Sequence, residues 1–151
     1  MRRKQFDGII ISHLGNLDGR QPDLENTLPY LQAALKKGWH VCAQVFFRHG
    51  KFLLPHNAGL TPVPPAFFSN QKVWCLALDP PTLDALCDIN AHAIPSTAAD
   101  VVLTSAQFLW TLPPATLTPR SVAVFPELAE STWFGDNEHA GICTNAPEVY
   151  L

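Results

Sequence analysis

The sequence predicts an α/β fold built on a mainly parallel sheet that is buried on both faces. Short, nearly continuous apolar runs recur along the chain, as in "WHVCAQVFF", "KVWCLAL" and "SVAVFP". A strand wetted on one face alternates apolar and polar residues, whereas a continuous run is covered on both. Two segments with helical spacing lie among these runs, "LENTLPYLQAALKKG" and "DPPTLDALCDIN". Of 151 residues, 47% are hydrophobic and 15% charged. That suffices for one core in a single domain spanning residues 1–151, without disulfide staples.

Taken in order, the first strand is Gly8–Ser12, followed by a loop, "LDGRQPD". The first helix has Thr27 or Asn26 as its cap, and Pro29 is tolerated in its first turn. Leu28, Leu31 and Leu35 recur at helical spacing, and Lys36, Lys37 and Gly38 form the stop signal. "WHVCAQVFF" is the next strand, "RHGK" a turn and "FLLPH" a short strand; residues 57–70 read as loop. After the strand "KVWCLAL", the second helix starts at Asp79 and ends near Asn90. "AHAI", "VVLT", "QFLWT" and "SVAVFP" are four further short strands, and "GICTN" is the last. Prolines at 62–65, 80–81 and 113–119 punctuate between elements. With two clear helices, the layer outside the sheet must be thin.

A net charge of −3 without a basic stripe argues against nucleic acid as a partner. No apolar run reaches membrane length, and "RRK" followed by "DGIII" is too short for a signal peptide, so a soluble, cytoplasmic protein with no membrane span is expected. Cys42, Cys75, Cys87 and Cys143 lack a C-x-x-C spacing and read as small apolar thiols in the core of a reduced protein.

The strand ends carry the functional signal. They present His13, then Cys42 and Gln44, then His56 and Asn57, then Leu76 and Leu78. In chain order the local motifs are "HLG" at 13–15, "ENT" at 25–27, "CAQ" at 42–44, "HN" at 56–57, "LAL" at 76–78 and "GICTNAP" at 141–147. This order resembles the glycerophosphodiester phosphodiesterase family over almost the whole chain, most specifically in the first 57 residues. There the motifs read His-Arg-Gly, Glu-Asn-Thr, Glu-x-Asp, His-Asp, Glu-x-Lys and Gly-Ile-x-Thr-Asp-x-Pro. "WCLALD" and "DVVLTSAQFLWTLP" resemble the short, compact bacterial branch of that family. A complete TIM-type barrel takes roughly 250 residues. The resemblance therefore implies a reduced or incomplete TIM-type (β/α) barrel, shortened in its middle.

The resemblance assigns the acid/base positions to His13 and His56, and a ligand position for Mg²⁺ or Ca²⁺ to Glu25, with Asn26 also retained. Elsewhere the chain departs from the pattern. Leu14 stands for the phosphate-binding Arg, Cys42 and Gln44 for the Glu-x-Asp carboxylates, and Asn57 for the Asp of His-Asp. Leu76 and Leu78 stand where the later Glu and Lys would be. One carboxylate with an amide and a thiol is a poor site for a hard cation, and without cation or Arg little remains to neutralise a phosphate. Asp100 resembles an acidic position of the short branch, or simply solvates a strand start. Glu127 in "FPE" is the best replacement carboxylate, or a lone exposed Glu. A soft Zn²⁺ site from His13, Cys42 and His56 is chemically open; Cys75 would not join it, because side chains alternate along a strand. The bland reading of His13 is a residue hydrogen-bonded to Glu25 or His56 with no proton-transfer role. Trp74, Trp110 and Trp133 read as packing residues, with Trp110 a candidate for the mouth.

The expectation is a catalytically degraded homologue with no resident cofactor, binding a small phosphorylated ligand or a protein partner. The alternative is a phosphoric diester hydrolase with a rebuilt centre around His13 and His56, using Mg²⁺ or Ca²⁺. A third reading is a structural subunit of a homo-oligomer that covers uncovered strand edges.

Overall fold

The structure, a computed structural model, describes residues 8–134 and 138–150. Ten strands form one sheet: β1 (Ile9–His13), β2 (His40–Arg48), β3 (Lys51–His56), β4 (Gly59–Val63), β5 (Val73–Ala77), β6 (His92–Pro95), β7 (Val101–Leu103), β8 (Leu109–Thr111), β9 (Ser121–Val124) and β10 (Gly141–Thr144). The helices are α1 (Leu28–Lys36), α2 (Pro65–Phe68), α3 (Pro80–Asp88) and α4 (Ser131–Phe134), with 3₁₀ turns at Pro126–Leu128 and Pro147–Tyr150. This is a mixed α/β fold with a large, mostly sheet core and few helices.

The principal spatial order is β6-β5-β2-β1-β10-β9-β8-β7, parallel throughout except for β7 against β8. β3 and β4 form an antiparallel ribbon continuing from the far end of β2. The two ends of the order meet. Ser105, just after β7, donates its N–H to Ala93 O at 2.9 Å and accepts the Ala93 N–H on its hydroxyl at 2.8 Å. The sheet therefore curls until β6 faces the end of β7.

Curling separates an inner from an outer face. Ile11, Cys42, Trp74, Ile94, Trp110, Val122, Val124 and Cys143 pack together, drawn from seven strands and the inner positions of each. Their neighbours along the strands, such as Val41, Ala43, Val73 and Cys75, pack outward beneath α1, α2 and α3. Ile10, Ala123 and Ile142 meet Trp133 and Tyr150 on the other outer flank. Cys42 and Cys75 thus lie on opposite faces, as strand alternation requires. Trp74 and Trp110 fill the interior and Trp133 packs outside. Three thiols are buried, but Cys87 is exposed on α3, because its helix position points away from the sheet.

Local chemistry sets the helices. Pro occupies the first turn of both α1 and α3, where no N–H is needed. Asp79 caps α3 by accepting from Thr82 N–H at 3.0 Å. The Thr82 hydroxyl and Arg48 then hold the Asp79 carboxyl down at about 2. Thr27 sits at the start of α1, but its hydroxyl donates back to Leu24 O rather than capping. Residues 57–70 are not simply loop: they hold β4 and α2. Pro62 and Pro64 mask the strand in the sequence, yet β4 is the ribbon's outer strand, where a missing N–H is tolerated.

β2 changes partners along its length. Residues 40–42 pair with β1 and residues 46–48 with β3. Gln44 lies in the gap between them, and the Asn26 side chain fills it. Asn26 Oδ1 accepts from Gln44 N–H at 2.9 Å, and its Nδ2 donates to Gln44 O at 2.9 Å and Pro55 O at 2.8 Å. One carboxamide thus replaces a strand's worth of ladder at that point. Asn26 is buried, with φ of 64°, a left-handed conformation that Asn accepts better than most residues.

Losing this side chain strands buried backbone groups, and Ala adds left-handed strain. Asn26→Ala is expected to reduce unfolding free energy by about 3 kcal/mol and Asn26→Gly by about 2 kcal/mol. Urea denaturation measures both; losses under about 0.5 kcal/mol would mean that the gap in the ladder is satisfied without the side chain.

The junction of β6 with β7 generates a second prediction. His92 is buried inside, its ring 3.8 Å from that of Trp74 and its Nε2 2.8 Å from the Thr104 hydroxyl. Burial, then the neighbouring His40, lowers its pKa from 6.5 to about 4. The fold favours the neutral ring, so its contribution is complete above pH 6.5 and lost as pH falls towards 4. The melting temperature should drop over that window, and His92→Gln should flatten the slope. An unchanged slope in the variant would assign the acid sensitivity to other groups.

Candidate functional site

The carboxyl ends of the parallel strands bring one polar cluster together. His13 ends β1, and its ring faces inward, as the inward positions of Ile9 and Ile11 dictate. Leu14 and Gly15 follow, both left-handed at φ of 57° and 92°. Gly15 is obligatory for a second reason: a Cβ there would stand 2.7 Å from the Tyr30 ring. The double turn sends the chain back so that Asn16 lies under His13, wholly buried.

Asn16 is saturated. Its Nδ2 donates to Glu25 Oε2 at 2.6 Å and to Asn145 Oδ1 at 3.0 Å. Its Oδ1 accepts from the Tyr30 hydroxyl at 3.1 Å and from Gln21 N–H at 3.2 Å. Asn145 follows β10, and its Oδ1 lies 3.1 Å from His13 Nδ1. Because that oxygen can only accept, His13 carries its proton on Nδ1 and presents Nε2 as a lone pair. Glu127 holds Asn145 in turn: its Oε1 accepts from Asn145 N–H at 3.2 Å and from the Thr144 hydroxyl at 2.9 Å. The Phe125 ring meets the His13 ring edge to face at 4.8 Å, from a left-handed backbone of φ 53°.

Glu25 is buried, with the mostly exposed Arg20 as its counterion. Arg20 Nη2 donates to Oε1 at 2.9 Å and Nε to Oε2 at 3.3 Å. These Arg20 bonds, helped by Asn16, hold the Glu25 carboxyl below its usual range against burial. Burial dominates at His13 and lowers its pKa, so the ring is neutral near pH 7.

The sequence-derived positions distribute as follows. His13 and Glu25 belong to one network, joined through Asn16 and Asn145 rather than directly. His56 is held in the ribbon: its Nδ1 accepts from Ala58 N–H and its Nε2 donates to the Thr61 hydroxyl at 2.6 Å. Neither nitrogen bonds His13 or Glu25. Asn57 donates to Asp23 at 3.1 Å. Gln44 and Leu76 stand in register on the inner face, and Leu78 lies beyond the end of β5. Leu14 is buried, its N–H on Cys42 O and its C=O accepting from Asn26. Cys42 lies deep in the interior cluster. Asp100 is exposed before β7, its C=O accepting from Leu112 N–H. Glu127 is exposed but works as the brace for Asn145. Asn16, Arg20, Tyr30 and Asn145 are the residues that strand-end reasoning missed.

These donors do not fit a hard divalent cation. Both Glu25 oxygens are taken by Arg20 and Asn16, and the neighbouring positions are leucines, a thiol and an amide. Nor are His13, Cys42 and His56 grouped for a soft one: among the described residues no three His, Cys, Asp or Glu side chains gather to hold an ion. A cavity of about 460 Å³ lies at the opposite end, lined by Gly8, Trp39, His40 and Ala140, away from this cluster. Among the described residues no helix is long and apolar enough to cross a membrane.

No protein-family model, curated protein or solved structure matches the chain. The function therefore rests on the site.

Asn145→Asp tests the electrostatics of the cluster. A carboxylate 3 Å or so from the imidazole favours the imidazolium, so the His13 pKa should rise by about 1 unit or more. A proton NMR titration of the His13 ring reads this directly. An unmoved pKa would mean that His13 and residue 145 do not share a hydrogen bond in solution.

Proposed function

We propose that this chain is a catalytically degraded relative of the glycerophosphodiester phosphodiesterases, on a reduced TIM-type barrel, and that its mouth binds a ligand without turning it over. Glu25 carries this reading. It is the one carboxylate at the family's cation-binding positions, and here Arg20 and Asn16 occupy it. The guanidinium supplies the positive charge that a buried carboxylate requires. The curled parallel sheet and the placement of His13, Glu25 and Asn145 at its carboxyl ends support the barrel reading. The tie of His56 to the ribbon supports loss of turnover, since an acid/base pair needs both rings free to reach the reacting oxygens.

Glycerophosphocholine and glycerophosphoethanolamine, incubated with the protein and Mg²⁺ or Ca²⁺, should yield no glycerol 3-phosphate above a protein-free control. Turnover that needs the cation and disappears in His13→Ala would replace this reading with a hydrolase whose centre is rebuilt around His13.

A further inference from the structure

The cavity at the amino ends of the strands exists because β1 starts before β2 does. It measures about 460 Å³ and is lined by Gly8, Ile9, Ile10, Gly38, Trp39 and His40, a size within the roughly 300–1,000 Å³ of small-molecule sites. The register of β1 against β2 begins at Ile11, opposite His40. Before that point the chain arriving from α1 turns away: Gly38 has φ of 96° and gives its N–H to Leu35 O at 2.9 Å. N–H groups alternate sides along a strand. Ile9 N–H bonds Ala140 O on the β10 side, and Leu14 N–H bonds Cys42 O on the β2 side. Ile10 shares Leu14's side. Its N–H therefore points at the missing stretch of β2, into the cavity, and has no partner among the described residues.

His40 adds a second donor to the same wall. The Trp74 indole nitrogen lies 3.1 Å from His40 Nδ1, and an indole N–H only donates. The ring proton of His40 is therefore on Nε2, which has no partner among the described residues. Burial, then the neighbouring Lys72, lowers the His40 pKa, so the ring is neutral near pH 7. Lys72 stands beside it. Its C=O accepts from Val41 N–H at 2.9 Å, and the Val41–Val73 register carried back one residue pairs Lys72 with His40, on one face of the sheet. Lys72 is exposed, and neither ion pair among the described residues includes it. No carboxylate is among the influences on His40. The cavity thus offers two N–H donors with an unpaired ammonium beside them, against walls of Ile9, Ile10 and Trp39. Two donors and one positive charge match the two oxygens and single charge of a carboxylate, whereas a phosphate dianion asks for more of both. The apolar walls suit a hydrocarbon body.

We infer that this cavity is a second binding site, at the opposite end of the sheet from His13, for a small organic carboxylate with an apolar body. Its carboxylate accepts from Ile10 N–H and His40 Nε2–H, Lys72 supplies the counter-charge, and the body lies against Ile9 and Trp39. The site is independent of the proposed function of the mouth, since it shares no residue with it.

The experiment titrates the isotope-labelled full chain with phenylacetate, its neutral isostere phenylacetamide, and inorganic phosphate, at constant ionic strength. It follows the Ile10 backbone amide, the His40 ring and the Trp39 indole by NMR. Saturable shifts of all three with phenylacetate are expected, at concentrations on the order of millimolar for so small a molecule. Phenylacetamide should bind roughly tenfold more weakly, the loss of charge assistance in the hydrogen bonds. His40→Phe should weaken phenylacetate by a similar factor, roughly tenfold, through the lost donor. Lys72→Gln should weaken it about threefold, as for one exposed charge contact. If His40→Phe fails to fold, because the Trp74 indole loses its acceptor, the exposed Lys72→Gln variant carries the test. Phenylacetamide binding as tightly as phenylacetate would overturn the inference, as would affinity unchanged in the folded variants or phosphate moving the same resonances at lower concentration. No shift with phenylacetate up to about 100 mM, well beyond the expected affinity, would also overturn it.

Discussion

The switch of β2 from one partner to another is the constraint on which the mouth depends. A strand that leaves its neighbour exposes N–H and C=O groups, and buried ones must be paired. Here the pairing comes from the Asn26 carboxamide, which copies the donor–acceptor pattern of a peptide unit at Gln44 and reaches Pro55 besides. Since Asn26 N–H also bonds Leu14 O, one residue couples the turn after His13 to β2 and to the ribbon. Glu25 is its chain neighbour, so the clamp also fixes where the buried carboxylate sits. Leu14, Asn26 and Phe125 are all left-handed around His13, while the other non-glycine residues of that kind, His49, Asn90 and Gln107, lie at turns away from it. Such strain persists only where surrounding bonds over-determine the backbone, as they do here.

From that frame the polar network follows step by step. Glu25 needs a counterion and takes Arg20 from the loop before α1. Asn16 shares the carboxylate and passes a hydrogen bond to Asn145, and Asn145 orients the imidazole. Each member is held by at least one group outside the chain of bonds: Asn16 by Tyr30 and Gln21, Asn145 by Glu127. A satisfied buried network of this kind specifies one arrangement, because any slip leaves an unpaired group in a poorly solvated place.

The parallel α/β layout was legible because inner and outer strand positions are both apolar, and the two long helices because proline and the charged stop signals mark their ends. Strand β4 was not, because Pro62 and Pro64 read as loop and only its edge position makes Pro62 harmless. At the site, "HLG" and "ENT" directed attention to the right turn, but the residue that organises it is Asn16, immediately after "HLG". Nothing local distinguishes a buried Asn from a turn Asn; its partners lie 9 and 129 residues away. Asn145 was visible within "GICTNAP" without a role, since its meaning comes from β1 and β10 pairing in register. The pairing of His13 with His56 was the natural reading of a two-histidine motif. In the fold His56 bonds instead to Thr61 and Ala58 of its own ribbon.

The apolar residues at the mouth and the neutral histidine belong to one electrostatic argument. Desolvation is the largest influence on His13, outweighing the Glu25 and Glu127 carboxylates that would favour its charged form. Leu14 and Cys42, both buried, and the Phe125 ring beside the imidazole keep water away from it. Were Cys42 and Gln44 carboxylates, as a cation site requires, the same imidazole would sit in a wetter, strongly negative field and protonate more readily. The Arg20 guanidinium balances one carboxylate, and a second or third would need an ion. One buried carboxylate, one guanidinium and a dry imidazole are therefore mutually consistent, and changing any one of them alone leaves a charge without a partner or a partner without a charge.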